Sequence, residues 1–134
     1  MSDLTPTNRE LDVLKVIWKH GRATVREVWK ELSKKDSEMA YTTALSMLQT
    51  MEHKGLVGHE PVGRRYAFYA KIERVGTCQK LAARFLDRVF DGAINEYVAG
   101  VLRSRRPTNE ELDQLEKMLA EARKRRRSKK GAQR

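Results

Sequence analysis

The sequence predicts a mainly α-helical fold carrying one small β-hairpin, and three observations support that expectation. Apolar residues recur at three- and four-residue spacing through most of the chain, as the buried stripe of a helix requires. Helix starts are marked by Thr5 followed by Pro6, by Thr24 with Glu27, and by Thr108 with Glu111, the first a proline at an opening turn and the others capping-box pairs. Between residues 56 and 70 the pattern changes to LVGHEPV and YAFYA around GRR, two short extended runs about a turn.

Element by element, Thr5 and Pro6 open a first helix on which Leu11, Leu14, Ile17 and Trp18 form the apolar stripe, and Gly21 stops it. In the capping box at Thr24 and Glu27 each side chain satisfies a free backbone donor, so a second helix is expected over 25–33 with Val25, Val28, Trp29 and Leu32 inward. KKDSE is a polar connection. The stretch AYTTALSMLQTMEHKGLV, Ala40 to Val57, then gives a third helix closed by Lys54 and Gly55. Three helices followed by a hairpin is the order of a winged helix-turn-helix, expected over residues 1–71.

At about 100° per residue, one side of the third helix collects Ala40, Ala44, Met47, Leu48 and Met51, which is core. The opposite arc collects Thr42, Thr43, Ser46, Gln49, Thr50 and His53, all able to hydrogen-bond and none charged with histidine neutral. The chain is 34% Asp, Glu, Lys and Arg, so six solvated positions would ordinarily include about two charges. An uncharged polar face suits a DNA major groove, where Gln bonds base edges, Ser and Thr bond bases or phosphates, and carboxylates would meet phosphate repulsion. Arg64 and Arg65 at the hairpin tip beside Tyr66, and Arg26 at the start of the second helix, are the candidate backbone contacts.

Composition narrows the function classes. The 134 residues are 40% hydrophobic, globular rather than disordered. The lone Cys78 makes no internal disulfide, there is no run long enough to cross a bilayer, and MSDLTPTNRE lacks the pattern of a secretion signal. A cytoplasmic protein is expected. Net charge is +10, but RKRRRSKKGAQR over 123–134 holds eight of the 28 bases and none of the 18 acids, leaving 20 against 18 elsewhere. That segment reads as a disordered basic tail attracted to polyanions. His20, His53 and His59 lack ligand spacing, and no phosphate loop or nucleophile elbow occurs. Neither catalysis nor a metal, cofactor or small-molecule ligand is expected. Cys78, Trp18, Trp29, Phe85 and Phe90 fall on apolar stripes and read as packing residues.

The C-terminal half calls for a partner. Leu81, Phe85, Leu86, Val89 and Phe90, with Val75, Cys78 and Ala82, make a stripe too wide for a lone surface helix. Ile94, Val98, Val101 and Leu102, with Tyr97, continue it, and Leu112, Leu115 and Leu119, with Met118, follow the capping box at Thr108. About fifty residues of helix make a poor core alone. A homodimerisation region over 72–122 would bury these faces and hold two recognition helices about 34 Å apart, one turn of DNA.

LTPTNRELDVLKVIW, TVREVWKEL, AYTTALSMLQTMEHKGLV and GRRYAFYA, in that order, resemble the winged-helix half of the penicillinase repressor family (BlaI/MecI/CopY), and FLDRVFDGAINEYV and TNEELDQLEKML are similar to its dimerisation region. The resemblance covers roughly residues 4 to 122. It implies a bacterial homodimeric repressor, controlling β-lactam resistance or stress genes, that sets its third helix in the major groove of a dyad operator, often built on TACA/TGTA half-sites. Tyr41, Thr42, Thr43 and Ser46 match the family's groove-reading positions, whereas Thr50 departs from a common arginine. The resemblance also implies derepression through a membrane metalloprotease that cuts the dimerisation region, at a bond that falls on Gly100-Val101 here in place of Asn-Phe. The paired Cys-x-Cys motifs of copper-responsive relatives are missing, which excludes that route. Two other classes stay open: an RNA-binding or architectural protein driven by the basic tail, and a helical interaction adaptor.

Overall fold

The computed structural model describes residues 4–132, with side chains to residue 129. The elements are α1 (Asn8–His20), β1 (Ala23–Thr24), α2 (Val25–Ser33), α3 (Tyr41–Lys54), β2 (Val57–Val62), β3 (Arg65–Ala70), α4 (Arg74–Phe90), α5 (Ile94–Ser104) and α6 (Asn109–Ala132). The chain divides into two compact units, the first ending at Phe85 and the second starting at Leu86.

The first unit is a winged helix. Val13, Leu14, Ile17, Val28, Ala44, Leu48, Met51, Leu56 and Val57 are at most 1% exposed, so α1, α2, α3 and the foot of the hairpin close on one apolar centre. The sheet has the order β1-β3-β2, all antiparallel. Its two-residue strand β1, pairing Ala23 with Phe68, is too short to show a period-two pattern and was not anticipated. The hairpin turns through Gly63 and Arg64, with Gly63 at φ +64, the glycine-first arrangement of a II′ turn. Arg65, expected in the turn, is the first residue of β3 and pairs with Val62.

Two helix ends fix α3. Before it, the Trp29 indole N–H donates to the Met39 carbonyl at 2.8 Å, and the Trp29 ring meets Tyr41 edge-on at 5.8 Å. After it, the Gly55 N–H donates to Glu52 and the Leu56 N–H to Met51, a Schellman closure with Gly55 left-handed at φ +88. The closure turns the chain directly into β2, where Gly58 lies under Tyr69 so closely that an added methyl would come within 2.6 Å of the ring. Helix α3 thereby runs directly into the hairpin.

Helix α1 starts later than expected. Its N-cap is Thr7, not Thr5, because Thr7 and Glu10 form a complete capping box: the Glu10 N–H donates to Thr7 Oγ1 and the Thr7 N–H to Glu10 Oε1. Glu10 is only 7% exposed, and its other oxygen accepts from Lys54 Nζ at 2.8 Å, tying α1 to the last turn of α3. Burial raises the Glu10 pKa, but the Lys54 ammonium and the Thr7 amide and hydroxyl outweigh it and lower it overall.

The C-terminal elements differ from expectation in three respects. The division falls inside α4 rather than at residues 71 and 72, because Ile72 packs on the core of the first unit and Thr77 is buried. The segment from Arg123, expected as a disordered arm, continues α6 as helix to Ala132. Its Arg, Lys and Ala are good helix formers, and extending a nucleated helix adds a hydrogen bond per residue fixed. Gln133 and Arg134 lie outside the described residues. Finally, from Cys78 to residue 129 no described residue is buried; Cys78 itself is exposed rather than a packing filler, and Phe85 is half-exposed.

Because the folded pKa of Glu10 is depressed, its contribution is complete above the unfolded value near 4.5 and is lost as pH falls through the folded value. Glu10→Ala should lower the unfolding free energy by about 1–2 kcal/mol near neutral pH through loss of the cap and the Lys54 contact. The difference from the parent should shrink below about pH 4 in urea melts; a constant difference down to acid pH contradicts this role for Glu10.

Candidate DNA-binding interface

Burial of Ala44, Leu48 and Met51 sets the rotation of α3 about its axis, and the opposite arc must then face outward. Thr42, Ser46, Gln49 and Thr50 are exposed and Thr43 is half-buried. Of this arc, Gln49 lines one concavity and Ser46 and Thr50 another. A cleft of about 560 Å³ lies between α3, the start of α2 and the wing, and Arg26, Tyr41, Gln49, Arg65 and Tyr66 line it. A groove of about 220 Å³ on the other side of α3 takes Ser46 and Thr50 together with Thr7 and Arg9 from the start of α1.

Each group in the cleft is placed by local chemistry. Arg26 is the second residue of α2, whose start is fixed by a capping box in which the Thr24 N–H donates to Glu27 Oε1 at 2.9 Å and the Glu27 N–H to Thr24 Oγ1 at 3.2 Å. Those two Thr24 bonds are the main reason the Glu27 pKa lies below its ordinary value, with His20 and Arg65 lowering it further. Tyr41, the first residue of α3, is held by Trp29. Tyr66, 60% exposed, rests on the edge of His59 with ring centres 5.1 Å apart. Arg64 occupies the turn itself and is exposed, outside the cleft lining.

Of the expected contact residues, Arg26, Tyr41, Gln49, Arg65 and Tyr66 line the cleft and Ser46 the opposite groove, whereas Thr42, Thr43 and Arg64 line neither. Sequence reasoning overlooked Arg9, Glu52 and His59. The capping box Thr7–Glu10 points to Arg9, since it makes Arg9 the second residue of α1. Glu52 carries the only acid in α3, and His59 Nδ1 lies 2.7 Å from Glu52 Oε1 and also contacts Oε2; that pairing bridges seven residues through a turn and has no sequence signature.

Candidate dimerisation residues occupy α4, α5 and α6. Val89, Ile94, Val98, Val101, Leu102, Leu112 and Leu119 are exposed, as is Phe85; Leu81, Leu86, Phe90 and Leu115 are half-buried. Phe90 stacks on Tyr97 at 5.3 Å. Gly100 and Val101 lie within helical α5. No described helix is long and apolar enough to cross a membrane, and no described cluster of His, Cys, Asp and Glu could hold a metal ion.

Comparison with known proteins finds similarity over most of the chain. The penicillinase repressor family matches residues 6–121. The penicillinase repressor of Bacillus licheniformis is 33% identical over 115 residues, covering 86% of this chain and 89% of that protein. The solution structures of the DNA-binding domain of the repressor BlaI, and of monomeric Bacillus licheniformis BlaI with the blaP half-operator, each align at 35% identity and TM-score 0.48 over 55% of this chain and 90% of theirs. A MarR family protein from Bacillus stearothermophilus aligns at 21% identity and TM-score 0.46 over 90% of this chain and 74% of its own. A family match over residues 6–121 and a relative 33% identical over 115 residues make this protein a member of the penicillinase repressor family of transcriptional repressors.

Proposed function

We propose that the protein is a homodimeric, sequence-specific transcriptional repressor that reads a dyad operator with α3. The outward arc of α3 carries this reading: uncharged hydrogen-bonding side chains, flanked by Arg26 and Arg65 on one side and Arg9 on the other. Arginines at the margins position the helix on phosphates, while Thr42, Ser46 and Gln49 are free to meet base edges. Arg64 and Tyr66 extend the contact along the flanking backbone or minor groove.

The second unit supports the homodimer. It exposes a row of large apolar side chains, with Leu119 68% and Val98 46% exposed and none of its described residues buried. A monomeric soluble protein rarely leaves so much contiguous apolar surface uncovered, and a second copy supplies an identical surface by two-fold symmetry. Derepression then follows if a protease, the membrane metalloprotease in this reading, cuts near Gly100-Val101, because α5 carries part of the apolar surface the dimer needs. The half-exposed bond is helical, so the helix has to open locally before a protease can take it as extended chain.

Binding-site selection from random duplex DNA, with residues 123–134 deleted to remove sequence-independent attraction, should enrich a dyad whose half-sites lie about one helical turn or a multiple apart. No enrichment contradicts operator reading and favours tail-driven RNA or DNA attraction, or an adaptor. Val98→Asp should convert the dimer to a monomer in sedimentation equilibrium while leaving the winged unit folded. An unchanged oligomeric state removes α5 from the interface, and an intact chain in fully induced cells removes the proteolytic step.

A further inference from the structure

The interface contains one group that should oppose DNA. Of the residues lining the cleft between α3 and the wing, Glu52 is the only acid, among Thr24, Arg26, Tyr41, Gln49, Arg65 and Tyr66. It is also the only acid in α3. Its carboxylate is held by His59 Nδ1 from β2, with both side chains partly open to water. His59 in turn packs against the Tyr66 and Phe68 rings of β3. The pair therefore spans α3 and the wing inside the cleft that Arg26 and Arg65 also line.

We propose that His59 is a positioning residue for the DNA contact, which ties the wing to α3 and engages the one carboxylate of the cleft. The proposal rests on the DNA-binding reading above and adds a residue to it. His59 Nδ1 lies against both oxygens of Glu52, so the carboxylate is taken up by the wing in place of standing free in a cleft that must accept phosphate. Arg26 and Arg65 line the same cleft. Without His59 the Glu52 carboxylate stands uncompensated and the wing loses its side-chain tie to α3.

The test uses the full-length chain and the duplex enriched by the selection above, at low salt so that exposed charges are not screened. A scrambled duplex of equal length gives the non-specific background, and circular dichroism checks each fold. His59→Gln should bind about threefold more weakly than the parent; adding Glu52→Gln to it should restore binding, because the uncompensated carboxylate is removed. Two outcomes overturn the proposal: His59→Gln binding like the parent, or the double variant remaining as weak as His59→Gln, which makes the pair a strut alone. Failure of the parent to discriminate the enriched from the scrambled duplex overturns instead the DNA reading on which it stands.

Discussion

The DNA-facing side depends on the burial of one narrow stripe, Ala44, Leu48 and Met51, against α1, α2 and the foot of the sheet. A 14-residue helix can roll about its axis at little backbone cost, and only packing settles which arc faces outward. Removing any of the larger two side chains would cost about 2–5 kcal/mol, a large share of the stability of a small domain. That cost prevents the helix from rolling, so the same interaction that holds the domain together aims Thr42, Ser46 and Gln49 outward. The ends are pinned as firmly, by the Trp29 bond to Met39 before the helix and the Gly55 closure after it.

Electrostatics then sorts the surroundings. Three acids beside α3 are engaged by other side chains or caps: Glu10 is shared between Thr7 and Lys54, Glu27 is taken by Thr24, and Glu52 is met by His59. Arg26 and Arg65 are left facing the cleft and Arg9 the opposite groove. The first unit can thus set arginines beside the uncharged arc of α3 although bases and acids outside the last twelve residues nearly balance, 20 against 18. Where charge is placed matters more for recognition than its sum.

Much of this was legible in the sequence because it is written in local signals. The Thr24–Glu27 box gave α2 its limits, Gly55 closed α3, and period 3.6 separated the core face of α3 from its polar face. What escaped needed tertiary information or competed with a stronger cue. Pro6 drew the start of α1 to Thr5, while the box at Thr7 set it. The strand β1 exists only because β3 lies beside it. The basic segment after Arg123 was read from charge alone, and helix propensity prevailed over charge as far as Ala132. The Glu52–His59 pair joins two elements through a turn and could be found only once the hairpin had folded back on α3.

The central claim is that the outward arc of α3 reads bases, and the most direct measurement is the affinity of Gln49→Ala for every single base-pair variant of the enriched operator. The account predicts a loss of about tenfold that disappears at one or two symmetry-related base pairs, where the parent's preference is lost with the side chain. An equal loss at every sequence, with the parent's base preferences intact, would place Gln49 on phosphate and contradict base reading by this face.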